Sequence, residues 1–353
     1  MSVGNVQRII KKYAALVSES GISLPDSVHC HMFRRTRATN LYQDGIAIEL
    51  VSTVLGHART DTTKSYYASN IITEGIMNKI LRFSDSEKVF QCPICKTDLK
   101  LKQKSLFCSN HHCFDISKTG YVNFAVGTKS SKHYSRETFQ IRREVLEKGY
   151  YSHILNEVVQ LIKSFSSIDT ILDIGCGEGY YSKQIKEVSG DKEIIAFDIS
   201  KDAVQLAAKS DFSNSIKWFV GNLEEMPIKD KRIDCILDIF TPANYSEFNR
   251  VLKEGGYVIK VIPGNAHLKE LRETAKEQLK SNQYSNAAVV DYFQKKYSVV
   301  YHKKVSATYT MTSEEIKTFA DMTPLLFCVN KDGIDLKKTK EITIDAEIFA
   351  GKL

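Results

Sequence analysis

From Thr170 onward, short continuous apolar runs alternate with segments whose apolar positions recur at helical spacing. The runs at 170–174, 194–197, 216–220, 235–239 and 257–261 predict strands, residues 181–188 predict a helix, and 203–208 lie on the next one. Gly255-Gly256 is expected to stop the helix before the last strand. Alternating strand and helix implies a mostly parallel, doubly wound sheet, an α/β Rossmann-like fold that gathers ligands at strand C-termini.

The first quarter has a different texture. Helical segments are expected near 35–42, 48–55 and 62–67, broken at Gly45 and Gly56. At 353 residues the chain exceeds a usual single domain. Three parts are expected: an all-α segment 1–83, a small unit 84–126 and an α/β domain 127–353. An apolar fraction of 42% suffices for packed cores, and a net charge of +7 leans toward a polyanionic partner. Neither a signal-peptide core nor a membrane-length apolar run is present in the sequence, so a cytoplasmic protein is expected. Eight cysteines in that compartment favour metal or plain burial over disulfides.

The most specific chemistry lies at Asp173-Ile174-Gly175-Cys176-Gly177-Glu178-Gly179, where an apolar strand runs into three alternating glycines, with Asp198 placed to end the following strand. Glycines at 175, 177 and 179 admit a ligand close to the backbone, and Asp198 suits a ribose diol. A dinucleotide loop reads G-x-G-x-x-G and faces a pyrophosphate. Here the spacing is G-x-G-x-G, and the Glu178 carboxylate inside the loop would repel that group. An ammonium and a sulfonium would be welcome, which points to S-adenosylmethionine. Asn222 and Leu223, after the strand at 216–220, could frame the adenine.

Four of the eight cysteines crowd between Cys92 and Cys113. Cys92-Pro93-Ile94-Cys95 is a C-x2-C knuckle; after a twelve-residue insert, Cys108 offers a third sulfur and His112 a fourth ligand, with His111 and Cys113 as alternatives to it. Four protein ligands leave no open position, so the metal expected is structural zinc, holding a unit too small to bury much apolar surface.

With these two features in place, residues 88–353 resemble the 23S ribosomal RNA guanine-N1 methyltransferases, the large-subunit methyltransferase A family. Besides the two clusters, the resemblance rests on Lys118-Thr119-Gly120-Tyr121-Val122-Asn123, Arg142-Arg143, Gly149-Tyr150-Tyr151, Pro263-Gly264, His267-Leu268 and Met322-Thr323-Pro324. It implies zinc at Cys92, Cys95, Cys108 and His112, and cofactor contacts at Tyr151, Glu178, Gly179, His267 and Leu268. It also implies that the zinc unit grips a hairpin in domain II of the large-subunit RNA, that one of two neighbouring guanines is methylated with an effect on macrolide or tylosin susceptibility, and that a homodimer is allowed.

Methyl transfer to guanine N1 is an in-line displacement that also requires loss of the N1 proton. Asp238, near the end of the strand at 235–239, is the candidate base, and Phe240 the residue expected to stack a flipped guanine. Only the proline of Ile239-Phe240-Thr241-Pro242-Ala243-Asn244 is shared with the Asn/Asp-Pro-Pro-Tyr motif of amino-methylating relatives, so the pocket should differ. Lys129, Lys132, His133, Tyr134, Arg136, Arg142 and Arg143 are candidate RNA contacts or a solvated charged face.

Residues 1–83 fall outside that resemblance. His31-Met32-Phe33-Arg34, Leu55-Gly56-His57 and Tyr66, nine residues after His57, resemble the C-terminal end of a tyrosine recombinase or phage integrase. In that chemistry Tyr66 would be the nucleophile, with arginines and histidines neutralising the phosphorus. Only 30 residues precede His31, leaving no room for the first arginine, the hairpin lysine or the DNA-binding arm. An inactive remnant with vestigial DNA binding is expected. The competing readings are a small-molecule methyltransferase, a DNA-binding or recombining protein acting through 1–83, and a non-catalytic RNA-binding module.

Overall fold

The computed structural model describes residues 77–125, 135–279, 284–330 and 333–353. The recombinase-like residues His31, Arg34, His57 and Tyr66, the three expected N-terminal helices, and Lys129, Lys132, His133 and Tyr134 lie outside the described residues. The chain divides into Met1–Asn78 and Lys79–Leu353, and the sheets with the helices packed on them belong to the second unit. Ile80, Arg82 and Phe83 are buried in the second unit. A guanidinium and an aromatic ring so placed need partners from the larger domain. Arg82 donates to the carbonyls of Gly120 and Ile216, while Phe83 packs against Phe90.

Three short antiparallel strands, β1 (Lys100–Lys102), β2 (Ser105–Phe107) and β3 (Cys113–Asp115), build the small cysteine-rich unit. The next strand, β4 (Tyr121–Asn123), leaves that sheet and pairs in parallel with β7 (Ile216–Val220) at the edge of the large one. A chain of rings follows the same route. Phe114 contacts Phe124, Phe124 contacts Phe219, and Phe219 stacks on Phe197 at 4.8 Å. The small unit is thereby seated on the sheet through aromatic burial, the contact type that contributes most per side chain.

The eight-stranded sheet has the order β10-β11-β9-β8-β5-β6-β7-β4. β5 (Thr170–Ile174) and β6 (Glu193–Asp198) lie between β7 and β8 (Ile233–Ile239), and all are parallel. β9 (Leu252–Pro263) is parallel to β8, whereas β11 (Glu341–Lys352) and β10 (Ser298–Thr310) complete the sheet antiparallel to their neighbours. Every residue of β7 and β8 is buried, as near-continuous apolar runs covered on both faces are, and their charged members Lys217, Asp234 and Asp238 are ion-paired.

Helices α1 (Arg136–Glu147), α2 (Ser152–Ser164), α3 (Tyr180–Val188) and α4 (Lys201–Ser210) precede or link the parallel strands. α5 (Tyr245–Val251), α6 (Lys269–Thr274), α7 (Ala287–Lys296) and α8 (Ser313–Met322) come later in the chain. α2 illustrates the cause: Ile154, Leu155, Val158, Leu161 and Ile162 recur at three- and four-residue spacing and form its buried stripe. Caps fix several starts, with Ser135 accepting from the Thr138 amide, Ser200 from the Ala203 amide, and Thr312 and Glu315 forming a capping box.

One element departs from the sequence expectation. α5 stops at Val251 without Gly255-Gly256, which lie inside β9. Pairing there jumps from Ile233↔Leu252 to Cys235↔Tyr257, so the glycines absorb extra residues in a bulge; Gly255 takes φ +72° to do so.

Beneath the sheet edge, the Asp211 carboxylate accepts a hydrogen bond from Trp218 Nε1 at 3.0 Å and pairs with Arg82 at 3.3 Å, all three side chains being buried. Removing one partner of a buried pair leaves the other charge uncompensated. Asp211→Ala is therefore expected to lower unfolding free energy by about 3–5 kcal/mol in equilibrium denaturation, and a loss below about 1 kcal/mol would show that the pair is dispensable.

Candidate active site and metal centre

The three glycines of the β5–α3 loop all have left-handed φ: +61° at Gly175, +56° at Gly177 and +79° at Gly179. A Cβ on Gly175 would collide with Thr241 Oγ1, and one on Gly179 would meet Trp218 Cη2 at 2.6 Å. Gly177 has room, its nearest neighbour being Phe139 at 3.8 Å, so conformation alone selects glycine there. The loop is tied to the end of β6: the Cys176 amide donates to the Phe197 carbonyl and the Gly177 amide to Asp198 Oδ2 at 3.0 Å. Asp198 Oδ1 accepts from the Ser200 amide, so its carboxylate is held at the mouth of the cavity.

That cavity, about 1050 Å³, is lined by Gly175, Gly177, Asp198, Asn222 and Leu223 together with Phe139, Arg142 and Phe240–Asn244. A second cavity of about 320 Å³ adjoins it and is lined by Arg142, Tyr151, Tyr181, Phe240, His267 and Leu268. Most of the sequence-predicted cofactor residues thus fall around two adjoining spaces, with Arg142 and Phe240 in the wall of both. Asp173, Glu178 and Gly179 line neither. Asp173 lies under the loop, where its carboxylate accepts the Ser182 hydroxyl and burial pushes its pKa up to about 7.

Glu178 is 1% exposed, and its Oε2 has no hydrogen-bond partner among the described residues, although Arg142 Nε lies 3.5 Å away. Burial raises this carboxyl and Arg142 opposes the rise. Such an orphaned carboxylate oxygen, with a guanidinium beside it and the Asp198 carboxylate across the loop, fits a zwitterionic amino-acid end joined to a nucleoside. The hydroxyl of Tyr181 is likewise buried and unpartnered among the described residues.

His267 follows β9 in a tight turn. The Asp345 amide donates to its Nδ1 at 3.3 Å, which leaves the ring proton on Nε2, and burial pushes its pKa down to about 4, so the ring is neutral. It stacks on Phe240 at 5.7 Å, and Tyr151 meets Phe240 edge-on at 6.2 Å. Phe240 itself has φ +55°, a strained value for a bulky residue that costs on the order of 1–3 kcal/mol.

The structure does not bring Asp238 to either cavity. Its side chain is 0% exposed, and Oδ2 accepts from Lys260 Nζ at 2.5 Å. A base must touch the proton it removes, so this corrects the role expected for Asp238. Of the paired arginines, Arg143 donates to the Leu206 carbonyl and Ser210 hydroxyl, anchoring α1 to α4, and Arg142 lines both cavities. Sequence reasoning missed Phe139, Thr241, Lys260, Tyr284 and Tyr292 as cavity residues. Phe139 and Arg142, three residues apart on α1, were legible as one helix face.

In the small unit, one ligand atom each from Cys92, Cys95, Cys108 and His112 lies within 4.8 Å of the others. His112 Nδ1 is 3.5 Å from Cys92 Sγ and 3.4 Å from Cys108 Sγ. Two tight turns create this: Lys96 and His111, each with left-handed φ, donate their amides back to the Cys92 and Cys108 carbonyls. His111 and Cys113 are exposed and lie outside the cluster, so the histidine that meets the three sulfurs is His112.

Three family descriptions match the chain: a methyltransferase domain over residues 165–323, the RlmA N-terminal zinc ribbon over 90–132, and the phage integrase family over 1–71. A Bacillus subtilis (strain 168) protein bearing the name of a 23S rRNA (guanine-N(1)-)-methyltransferase, YxjB, is 34% identical over 278 residues, covering 74% of this chain and 96% of that protein. The 23S rRNA (guanine(748)-N(1))-methyltransferase of Streptomyces fradiae is 27% identical over 187 residues, 52% of this chain and 66% of its own length. The glycine-loop cradle is accordingly that of an S-adenosylmethionine-dependent methyltransferase, and the chain belongs to the 23S rRNA (guanine-N1)-methyltransferase family, preceded by a segment matching the phage integrase family.

Proposed function

We propose that this enzyme methylates N1 of a guanine in a hairpin of 23S ribosomal RNA, with zinc holding the small unit as part of the RNA-binding surface. The observation that carries this reading is the 34% identity that spans both the metal cluster and the cofactor cradle. A small-molecule acceptor would not call for the attached cysteine-rich unit, whose hairpin exposes Lys100, Lys102 and Lys104 as phosphate partners.

S-adenosylmethionine supplies a methyl group activated by a sulfonium. Asp198 would take the ribose hydroxyls, Asn222 and Leu223 would flank the adenine, and the Arg142 fork and Glu178 would take the carboxylate and ammonium. Tyr151 and His267 pack on Phe240, and the three rings would shield the reacting carbon from water. Cys92, Cys95, Cys108 and His112 would complete a tetrahedral zinc site with no position left for water, hence a structural one.

Incubating the full chain with S-adenosylmethionine and a domain II hairpin transcript is expected to yield one N1-methylguanosine by nuclease digestion and mass spectrometry; an unmodified guanine would refute the proposal. Elemental analysis is expected to give one zinc per chain, and Cys95→Ser to lose it together with RNA affinity while S-adenosylhomocysteine binding persists. Arg142→Met should weaken S-adenosylhomocysteine binding by about 10- to 100-fold, the worth of a charged hydrogen bond. Methylthioadenosine lacks the amino-acid end, so calorimetry should find its affinity unchanged; equal losses for both ligands would mean that Arg142 does not hold the carboxylate.

A further inference from the structure

A third cavity, about 640 Å³, lies at the C-terminal ends of β8 and β9 and meets the other two at Phe240. It shares Pro242 and Tyr292 with the cofactor cavity and Tyr284 with the one around His267. Its walls are aromatic: Phe240, Tyr245, Tyr284 and Tyr292. Tyr284 and Tyr292 are 38% and 53% exposed, each under a cation from Arg272 or Lys296, a combination suited to unpaired nucleotides at the rim.

Among the residues lining this cavity, Lys260 is the one charged side chain. It is 3% exposed, and Asp238 is the hydrogen-bond partner of its ammonium. Asp238 Oδ1 is buried and unpartnered among the described residues, and burial pushes the Asp238 pKa up to about 6 despite the ammonium. A buried ion pair is a poor source of stability compared with apolar packing, so one placed beside a cavity at the reacting end of a sheet calls for a chemical reason.

Guanine provides one. When N1 loses its proton, the negative charge is shared between N1 and O6, and an ammonium at O6 favours that anion. Adenine presents an amino group at the same place and would face a donor with a donor. We propose that the acceptor guanine occupies this cavity between Phe240 and the tyrosines, and that Lys260, positioned by Asp238, receives O6 as N1 is deprotonated. The assignment rests on the guanine-N1 reading above. In the transfer step, the N1–carbon bond forms as the carbon–sulfur bond breaks, the electron pair returns to sulfur, and the N1 proton passes to water.

The groups packed against the pair are neutral or already paired, and the cations nearby, Arg272 and Lys296, lie over the rings of Tyr284 and Tyr292. Tyr245 on α5 and Tyr297 after α7 lie near Asp238, and burial raises both hydroxyls, keeping them neutral. Tyr292 on α7 carries Lys296 over its ring. Glu347, on the neighbouring β11, is occupied by Asn286, His302 and Lys304. Lys260 is thus a catalytic residue of the electrostatic kind and Asp238 a positioning residue.

The test uses the full chain, S-adenosylmethionine and the hairpin transcript, with Lys260→Met and the charge-free pair Asp238→Asn with Lys260→Gln. Titration with S-adenosylhomocysteine reports folding. Lys260→Met is expected to lower kcat by about 100- to 1000-fold, as loss of an oxyanion donor does, and to move the alkaline rise of kcat upward by about one pH unit or more. A variant that binds S-adenosylhomocysteine normally yet keeps kcat within about 3-fold, or keeps the pH profile of the parent, overturns the assignment. So does loss of that binding in both variants, which would make the pair structural. If the unaltered enzyme leaves guanine N1 unmodified, the guanine reading itself fails, a result separate from either variant outcome.

Discussion

The glycine loop depends on a carboxylate that lines neither of the cavities beside it. Asp211 is buried, accepts Trp218 Nε1 and is neutralised by Arg82. Trp218 thereby keeps its ring against Gly179, where a Cβ would be only 2.6 Å from it, and the loop can turn only because that position is glycine. Arg82 in turn donates from its two terminal nitrogens to Gly120, Ile216 and Asn214. Gly120 precedes β4, the strand that joins the metal unit to the sheet. One charge pair therefore sets the loop, the lead-in segment and the seat of the small unit together.

That coupling explains what could and could not be read from the chain. The parallel strands were legible because strands buried on both faces are apolar along most of their length, and β5 and β7 have the expected limits. The glycine loop and the C-x2-C knuckle were legible because their backbone geometry admits few residue types. Gly255-Gly256 misled, since a glycine pair serves a helix end and a strand bulge equally well. The role of Arg82 could not be seen at all: its partners are 38 to 134 residues away, and nothing local distinguishes a buried arginine from a solvated one.

Site residues divided along the same line. Asp198 and Asn222 lie at strand ends, where topology dictates that ligands bind, and both line the cavity. Asp238 occupies a similar place in sequence, yet strand alternation turns its side chain to the face where Lys260 waits across the β8–β9 register. Arg142 and Arg143 are adjacent, and so point about 100° apart on α1. One meets the cofactor space and the other the α4 helix. A charged dipeptide read as a single patch becomes two separate devices once it is wound into a helix.

Phe240 is where these separate constraints converge. It holds a positive φ that only surrounding structure can enforce, and the enforcement comes from His267 stacked on one side, Tyr151 at its edge and its own amide donating to the Val261 carbonyl. Its ring lies in the wall of all three cavities. The strained residue thus stands where the glycine-loop cavity and the aromatic chamber share a wall, together with Thr241, Pro242, Ala243, Tyr245 and Tyr292. For a reaction that moves a single carbon between two bound molecules, adjoining sites are the geometric requirement.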